Sequence, residues 1–232
     1  QAVEGLYPEV KGGAAALIAI DDYFGLKAAP SAQINVATVL DIVIGSITFT
    51  GSLIASGKLM GLRITPSRPV MIPGGRLVTA ALAAIVTVGA IYLWMGNLSV
   101  PIMFVILAAA LVFGVTMTLP IGGADMPVVI SLLNSFTGTA VAMAGFVLDN
   151  TVLIIAGALV GASGAILTKL MADAMNRSVL NIMIGGFGGG EGTVAALTGA
   201  GGSVRAIGAD DVAIQLAYAS SVIIVPGYGL AV

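Results

Sequence analysis

Five apolar segments of membrane-spanning length determine what this chain can fold into. A helix needs roughly 20 apolar residues to cross the hydrocarbon core of a bilayer, and five segments meet that length. Only 9% of the residues are charged, whereas about a quarter are charged in soluble domains. We therefore predict an integral membrane protein with an all-α polytopic helix bundle. The five predicted spans are residues 34–57, 77–95, 100–119, 126–148 and 151–171.

A sixth apolar stretch, residues 12–20, is short for a span because Lys11 lies just before it and Asp21 and Asp22 follow it. We interpret it as the remaining half of a sixth helix. The chain begins with Gln1 rather than Met and stops inside a glycine motif, so we expect both ends to be truncated.

The connections between the later helices are short, which predicts that consecutive helices are antiparallel neighbours in a compact bundle. These connections are residues 96–99, 120–125 and 149–150. The longer loop, residues 58–76, carries four cations and no acidic residue, namely Lys58, Arg63, Arg68 and Arg76. The positive-inside rule places this loop and, by counting spans, the carboxy-terminal segment on the cytoplasmic or matrix side. Tyr92 and Trp94 then belong to the opposite interface.

Composition excludes several classes of function. The chain has no cysteine and no histidine, so we expect no disulfide, no thiol catalysis and no metal site. A net charge of −2 gives no indication of nucleic-acid binding. Proton chemistry within this chain must therefore use carboxylates, or water ordered by hydroxyl and amide side chains.

The last third of the chain changes character. Two glycine clusters, residues 185–192 and 199–202, are typical of a flexible linker. Asp210 and Asp211 then begin a short predicted helix, and a predicted strand at 222–225 leads into a Gly-x-Gly motif, as at the start of a nucleotide-binding βαβ unit. The predicted organisation is a membrane domain at 1–176, a cytoplasmic linker at 177–208, and the first strand of a truncated Rossmann-like α/β domain at 209–232.

Polar residues within the predicted spans are candidates for function, because an ionisable side chain facing lipid is costly. Asp41 shares a helix face with Gly45, Thr48 and Ser52, and it belongs either inside the bundle or at the outer interface near Lys27. Asp125 precedes a predicted helix, where it is either a helix N-cap or a charge at the mouth of a pathway.

The span 126–148 carries a small and polar stripe that includes Ser131, Asn134 and Gly138, with Thr137 on its flank. Asn134 can hold a chain of waters, or it can simply join two helices by a hydrogen bond. In the next span Gly157, Gly161 and Gly164 line one face; such faces pack closely, and some also slide during a conformational cycle.

Six strings of the sequence resemble the beta subunit of proton-translocating nicotinamide nucleotide transhydrogenase, in the same order and over nearly all of residues 35–232. They are Phe49-Thr50-Gly51-Ser52, Gly122-Gly123-Ala124-Asp125-Met126-Pro127-Val128-Val129, Leu133-Asn134-Ser135, Gly157-Ala158-Leu159-Val160-Gly161, Ala174-Met175-Asn176-Arg177-Ser178 and Pro226-Gly227-Tyr228-Gly229.

The resemblance implies hydride transfer between NAD(H), bound by a partner alpha subunit, and NADP(H), bound by the soluble domain that this chain begins, coupled to proton movement through the bundle. It also implies a dimeric complex in a bacterial or mitochondrial inner membrane. Family members carry a membrane histidine that this chain lacks, so the proton-carrying residue stays unassigned. The resemblance implies a pathway asparagine at Asn134, a pathway-mouth aspartate at Asp125, a coupling junction at Arg177, and an NADP pyrophosphate loop at Gly227, Tyr228 and Gly229. From the residue patterns we add Ser131, Thr137 and Asp41 to the candidate proton pathway, Gly161 and Gly164 to the coupling region, and Ala231 and Val232 to the cofactor loop.

Two rival interpretations treat the glycine-rich tail as incidental. A secondary transporter or channel would show inverted repeats or helices broken near the middle of the membrane, and the sequence indicates neither. A simple membrane anchor leaves Asn134 and the Asp41 face without a purpose.

Overall fold

A computed structural model describes residues 7–25, 32–61, 65, 68–70, 74–95, 99–184 and 208–223. All regular structure within these ranges is helical, and no strand is found among them. The helices are α1 (Tyr7–Gly25), α2 (Ala32–Leu59), α3 (Gly75–Trp94), α4 (Val100–Thr118), α5 (Met126–Val147), α6 (Thr151–Ala174), α7 (Val179–Ile184) and α8 (Ala209–Tyr218), with a 3₁₀ turn at Gly123–Asp125 before α5.

The five predicted spans are confirmed. Five helices, α2 to α6, are long and apolar enough to cross a membrane, with hydropathy between 1.5 and 2.5. Helix α1 is not among these five; it has 19 residues, begins five residues before the predicted sixth stretch, and packs along α2 and α5. Helix α2 runs to Leu59, so Lys58 lies in its last turn rather than in the loop that the charge pattern predicted.

Helix α2 lies at the centre of the bundle and packs against α1, α3, α4 and α5. The prediction that consecutive helices are neighbours is therefore wrong for α4 and α5, which do not pack along their lengths because α2 lies between them. Small residues make this possible. A Cβ placed on Gly114 of α4 would lie 2.4 Å from the Ile47 carbonyl oxygen of α2, and one on Gly51 would lie 3.2 Å from a Leu133 methyl group of α5.

Helices α5 and α6 meet along a seam of small residues and form the most extensive helix pair of the bundle. A Cβ on Gly138 would lie 2.4 Å from the backbone nitrogen of Gly161, and one on Gly157 would lie 2.4 Å from the backbone nitrogen of Ala142. This backbone approach is typical of small-residue interfaces in membranes. Leu148, Asp149 and Asn150 form the three-residue connection between the helices, in which Asp149 has φ of 51°.

Two side-chain contacts hold the end of the bundle at which α3 ends and α4 begins, here called the Ser99 end. The amide of Asn35 in α2 donates to the carbonyl oxygen of Leu93 at 2.8 Å, and the Tyr23 hydroxyl of α1 accepts a bond from the Ser99 amide at 2.9 Å. Helices α2, α4 and α6 finish at the opposite end, here called the Arg177 end. Tyr92 and Trp94 lie at the Ser99 end and are exposed.

The chain divides into two compact units, Gln1–Gly190 and Glu191–Val232. Within the second unit the structure describes α8, which begins at Ala209 with Asp210 and Asp211 in its first turn, as predicted from the sequence. Val222 and Ile223 belong to no strand. The rest of the predicted strand, the Gly-x-Gly motif and both glycine clusters lie outside the described residues.

Replacing Gly138 by Ala tests the seam between α5 and α6. The added methyl group has no space against the Gly161 backbone, so we expect the variant to lose about 1–3 kcal/mol of stability and to unfold at a lower temperature in detergent. Gly25→Ala is the matched control, because nothing lies within 4 Å of the added atom, and alanine there should leave stability unchanged or raise it. Equal melting temperatures for the two variants would contradict the close approach.

Candidate functional site

An ion pair at the Arg177 end joins two of the residues that the sequence singled out separately. One guanidinium nitrogen of Arg177, Nη1, lies 2.8 Å from Oδ1 and 2.7 Å from Oδ2 of Asp125. The two residues are 52 positions apart in the chain. The Asp125 side chain is only 14% exposed and that of Arg177 is 46% exposed. The pair therefore connects the turn before α5 to the segment after α6.

The backbone after α6 places Arg177 at this position. Asn176 has φ of 53°, the left-handed conformation that ends many helices. The Arg177 amide then bonds back to the Ala172 carbonyl at 3.0 Å, which turns the chain sharply. Ser178 follows and caps α7 by accepting from the Asn181 amide at 3.0 Å. Ile182 of α7 is buried among residues of α5 and α6 and anchors the segment.

Asp125 holds the N-cap position of α5, but its side chain makes no capping hydrogen bond. Its backbone is fixed instead by the 3₁₀ turn, in which the Asp125 amide bonds to the Gly122 carbonyl at 3.1 Å. The carboxylate is thus directed to Arg177 rather than to the backbone of its own helix. The sequence suggested that Asp125 is either a helix N-cap or a charge at the mouth of a pathway. The structure does not support a side-chain N-cap.

Hydroxyl groups of α5 bond directly to the backbone of α6. The Ser135 hydroxyl donates to the Gly161 carbonyl at 2.7 Å, and the Ser131 hydroxyl donates to the Gly164 carbonyl at 3.2 Å. The Thr168 hydroxyl lies 3.1 Å from that of Ser131 and completes the cluster. Ser131, Gly161 and Gly164 are therefore brought together at one seam.

Asn134 lies one residue before Ser135 and does not take part in that seam. It is partly buried, and none of the hydrogen bonds within the described residues involves its amide group. The buried hydroxyl of Thr137 bonds to the Leu133 carbonyl of its own helix at 3.0 Å. One interpretation of Asn134 was a hydrogen bond that joins two helices. In the structure, Ser131 and Ser135 make such bonds instead.

Asp41 is fully buried in α2, with 0% of its surface exposed. Within the described part of the chain neither of its carboxylate oxygens has a hydrogen-bond partner. One turn later on the same face, a Cβ on Gly45 would lie 2.6 Å from the Gly12 carbonyl oxygen of α1. This face of α2 is therefore packed against α1, and Asp41 lies inside the bundle. Lys27, its proposed interfacial partner, is outside the described residues.

The polar groups occupy different levels of the bundle. Nine residues of α5 separate Asp125 from Asn134, which corresponds to a rise of about 14 Å. Leu133 contacts Gly51, and Asp41 precedes Gly51 by ten residues of α2, a further rise of about 15 Å. Together these steps approach the roughly 30 Å thickness of the hydrocarbon core.

Sequence reasoning missed Lys58, whose ammonium group donates to the carbonyl oxygens of Leu119 and Ile121. One signal could have identified it. Lys58 lies seven residues after Gly51, which is two helical turns, so both residues lie on the face of α2 that meets α4 and α5. No group of three or more acidic, cysteine or histidine side chains that could hold a metal is found in the described ranges. The cofactor loop, Gly227 to Val232, lies beyond them.

The sequence was compared with models of protein families and with curated proteins. A family model described as NAD(P) transhydrogenase beta subunit matches residues 2–232. Two curated relatives from Rhodospirillum rubrum, one of them assigned to a particular strain, are named NAD(P) transhydrogenase subunit beta. Each is 48% identical over 195 residues, which cover 83% of this chain. The chain spans 41% of the length of these relatives.

Proposed function

This chain belongs to the NAD(P) transhydrogenase beta subunit family, and we propose that it forms the proton-translocating membrane part of such an enzyme. In this proposal, hydride transfer between NAD(H) and NADP(H) is coupled to proton movement through the bundle. The hydride step is the chemistry of the two nucleotides, so this chain supplies the pathway and the coupling rather than a catalytic acid or base.

The observation that carries the proposal is the ion pair between Asp125 and Arg177. Coupling requires an element with two states that both sites can bias. A partly exposed ion pair can form and break at modest cost. Asp125 begins the helix that carries Asn134, and Arg177 lies at the start of the segment that leads along the chain to the cofactor loop. Formation or loss of this pair would therefore change the mouth of the pathway when nucleotide state changes.

The proposed pathway runs from Asp125 past Asn134 to Asp41. A proton cannot pass directly between groups about 14 Å apart, so water must bridge these steps. Amide and hydroxyl groups such as those of Asn134, Ser131 and Thr137 can order such water. Asp41 is proposed as the group that binds and releases the proton. Its carboxyl group is fully buried and has no hydrogen-bond partner among the described residues, and an ionisable group inside a membrane bundle suggests a functional role. This assigns a titrating group to a chain that has no histidine.

Gly161 and Gly164 are proposed to transmit the coupling. Their carbonyl oxygens accept bonds from Ser135 and Ser131, so a displacement of α6 changes the bonding of the α5 residues that flank Asn134. Since Arg177 follows α6 directly, motion at the ion pair and motion at the seam are mechanically linked.

The cofactors and partners follow from the family. NADP(H) is proposed to bind at Gly227, Tyr228, Gly229, Ala231 and Val232, in the domain that begins at 209, with 177–208 as the linker from the membrane domain. NAD(H) is proposed to bind an alpha subunit, in a dimeric complex embedded in lipid. The Arg177 end and the carboxy-terminal segment are then on the cytoplasmic or matrix side of a bacterial or mitochondrial inner membrane.

The rival interpretation as a secondary transporter or channel loses its basis. It treated the tail after α6 as incidental, whereas the family model extends through the tail to residue 232.

Replacing Arg177 by Ala tests the proposed role of the ion pair between Asp125 and Arg177. In the assembled complex in sealed vesicles, we expect proton-coupled transhydrogenation to fall at least about tenfold, equivalent to about 1.4 kcal/mol, while the melting temperature changes little. Asp125→Asn should give a similar loss, and the double variant should lose no more than either single variant. Lys169→Ala is the control, since the pairing of Lys169 in the described ranges is with exposed Asp173 on the same helix. Normal coupled rates in Arg177→Ala would contradict the proposal.

Replacing Asn134 by Leu should block the pathway by removing the amide and filling its space. Proton-coupled turnover should fall at least about tenfold, and NADP(H) affinity should stay within about twofold, a change of about 0.4 kcal/mol, since the cofactor loop is unchanged. Asn181→Leu makes the same substitution at an exposed position of α7 and should pump protons normally. Normal pumping by Asn134→Leu would show that the residue only packs.

Replacing Asp41 by Asn separates a proton carrier from a packing residue. The amide has nearly the same shape but cannot bind and release a proton, so we expect proton pumping to be lost. We expect unchanged or higher thermal stability, because a buried carboxyl group with no hydrogen-bond partner in the described part of the chain is itself destabilising. Asp173→Asn, an exposed site on α6, is the matched control. Retained pumping with altered stability would assign Asp41 to packing alone.

A further inference from the structure

The ammonium group of Lys58 is enclosed at the Arg177 end of the bundle. The residue has 0% of its surface exposed. Its Nζ donates to the Ile121 carbonyl oxygen at 2.7 Å and also to that of Leu119. A lysine near a helix end ordinarily extends toward the interface to keep its charge in water. Here it is turned inward, where a positive charge needs several acceptors to offset its desolvation.

The acceptors come from the carboxyl end of a neighbouring helix. Leu119 follows directly after α4, and Ile121 lies two residues further along the connection to α5. The last carbonyls of a helix have no partner within that helix and carry its partial negative charge, which a cation stabilises. Lys58 therefore acts across the interface as a cap for α4.

The same short connection carries Asp125 at its other end. Residues 119–125 are bonded to Lys58 at Leu119 and Ile121 and to Arg177 at Asp125. The Val70 amide also donates to the Leu119 carbonyl at 3.2 Å. Ile121 is only 2% exposed and packs in the core formed with Met117 and Met126. One cation thus holds the start of the turn from inside the bundle, and the other holds its end from outside.

We propose that Lys58 is a positioning residue that fixes the 119–125 turn so that the Asp125 carboxylate is presented to Arg177. The functional value of that position rests on the function proposed above. The buried cation holds its place whether or not Arg177 is bound, so Asp125 returns to one location each time the ion pair forms.

The absence of cysteine in this chain allows a direct distance measurement. Spin labels at Ala124→Cys and Ala174→Cys, both exposed positions, report the separation of the turn from the end of α6. The measurement uses the full-length complex, in which any cysteine outside this sequence, in this subunit or its partners, is replaced. We expect a single narrow distance distribution in the parent protein, a distribution at least twice as wide in Lys58→Met, and recovery of the narrow form in Lys58→Arg, which keeps the donor. Lys169→Met is the matched control for loss of one exposed lysine.

The outcomes distinguish this inference from the proposed function. A distribution as narrow in Lys58→Met as in the parent overturns the positioning role, and a lower melting temperature with that unchanged width would assign Lys58 to stability alone. A widened distribution with unchanged proton-coupled rates supports the positioning role and overturns the function proposed for Asp125. A widened distribution together with a several-fold loss of coupled rate supports both.

Discussion

The bundle depends on a close fit around α2, which can lie between four other helices only because small residues line the contacts. Gly45 meets the α1 backbone, Gly51 meets Leu133, and Gly114 of α4 accommodates Thr50. Larger side chains at these positions would separate the helices. Because α2 is central, its two ionisable residues Asp41 and Lys58 are buried and out of contact with lipid. They lie toward opposite ends of the bundle.

Hydrogen bonding inside the bundle follows from the lack of water in a bilayer core, where polar groups must find partners within the protein. Most hydroxyl groups of the helices bond to a backbone carbonyl, either of their own helix, as Thr137 does, or across a seam, as Ser135 does. Asp41 and Asn134 differ, since no hydrogen bond in the described ranges involves either side chain. These two side chains are among the few exceptions within the membrane-spanning helices, and they support the proposed location of the proton pathway.

The sequence was sufficient to predict the five spans and to identify the polar face of α2, because apolar length and helical periodicity are local properties. It left open whether Asp41 on that face lies inside the bundle or at the outer interface. It was not sufficient to predict that α2 separates α4 from α5, since a one-dimensional pattern does not record which helix lies between two others. Lys58 was assigned to a loop for the same reason, because its acceptors lie more than 60 residues away. Counting the spans places Asp125 and Arg177 on the same side of the membrane. Their pairing, however, depends on the left-handed backbone of Asn176, which no spacing rule indicates.

The connection of only three residues between α5 and α6 also constrains how the protein is made. With so little chain between them, the two helices cannot enter the bilayer at different times or drift apart in it, and a helical hairpin must be inserted as one piece. The serine hydroxyls of α5 can then meet their glycine carbonyl acceptors within the hairpin itself, without a contribution from the other helices. Ser131 and Ser135 therefore have partners as soon as the hairpin forms, and the most extensive seam of the mature bundle is contained in a single hairpin.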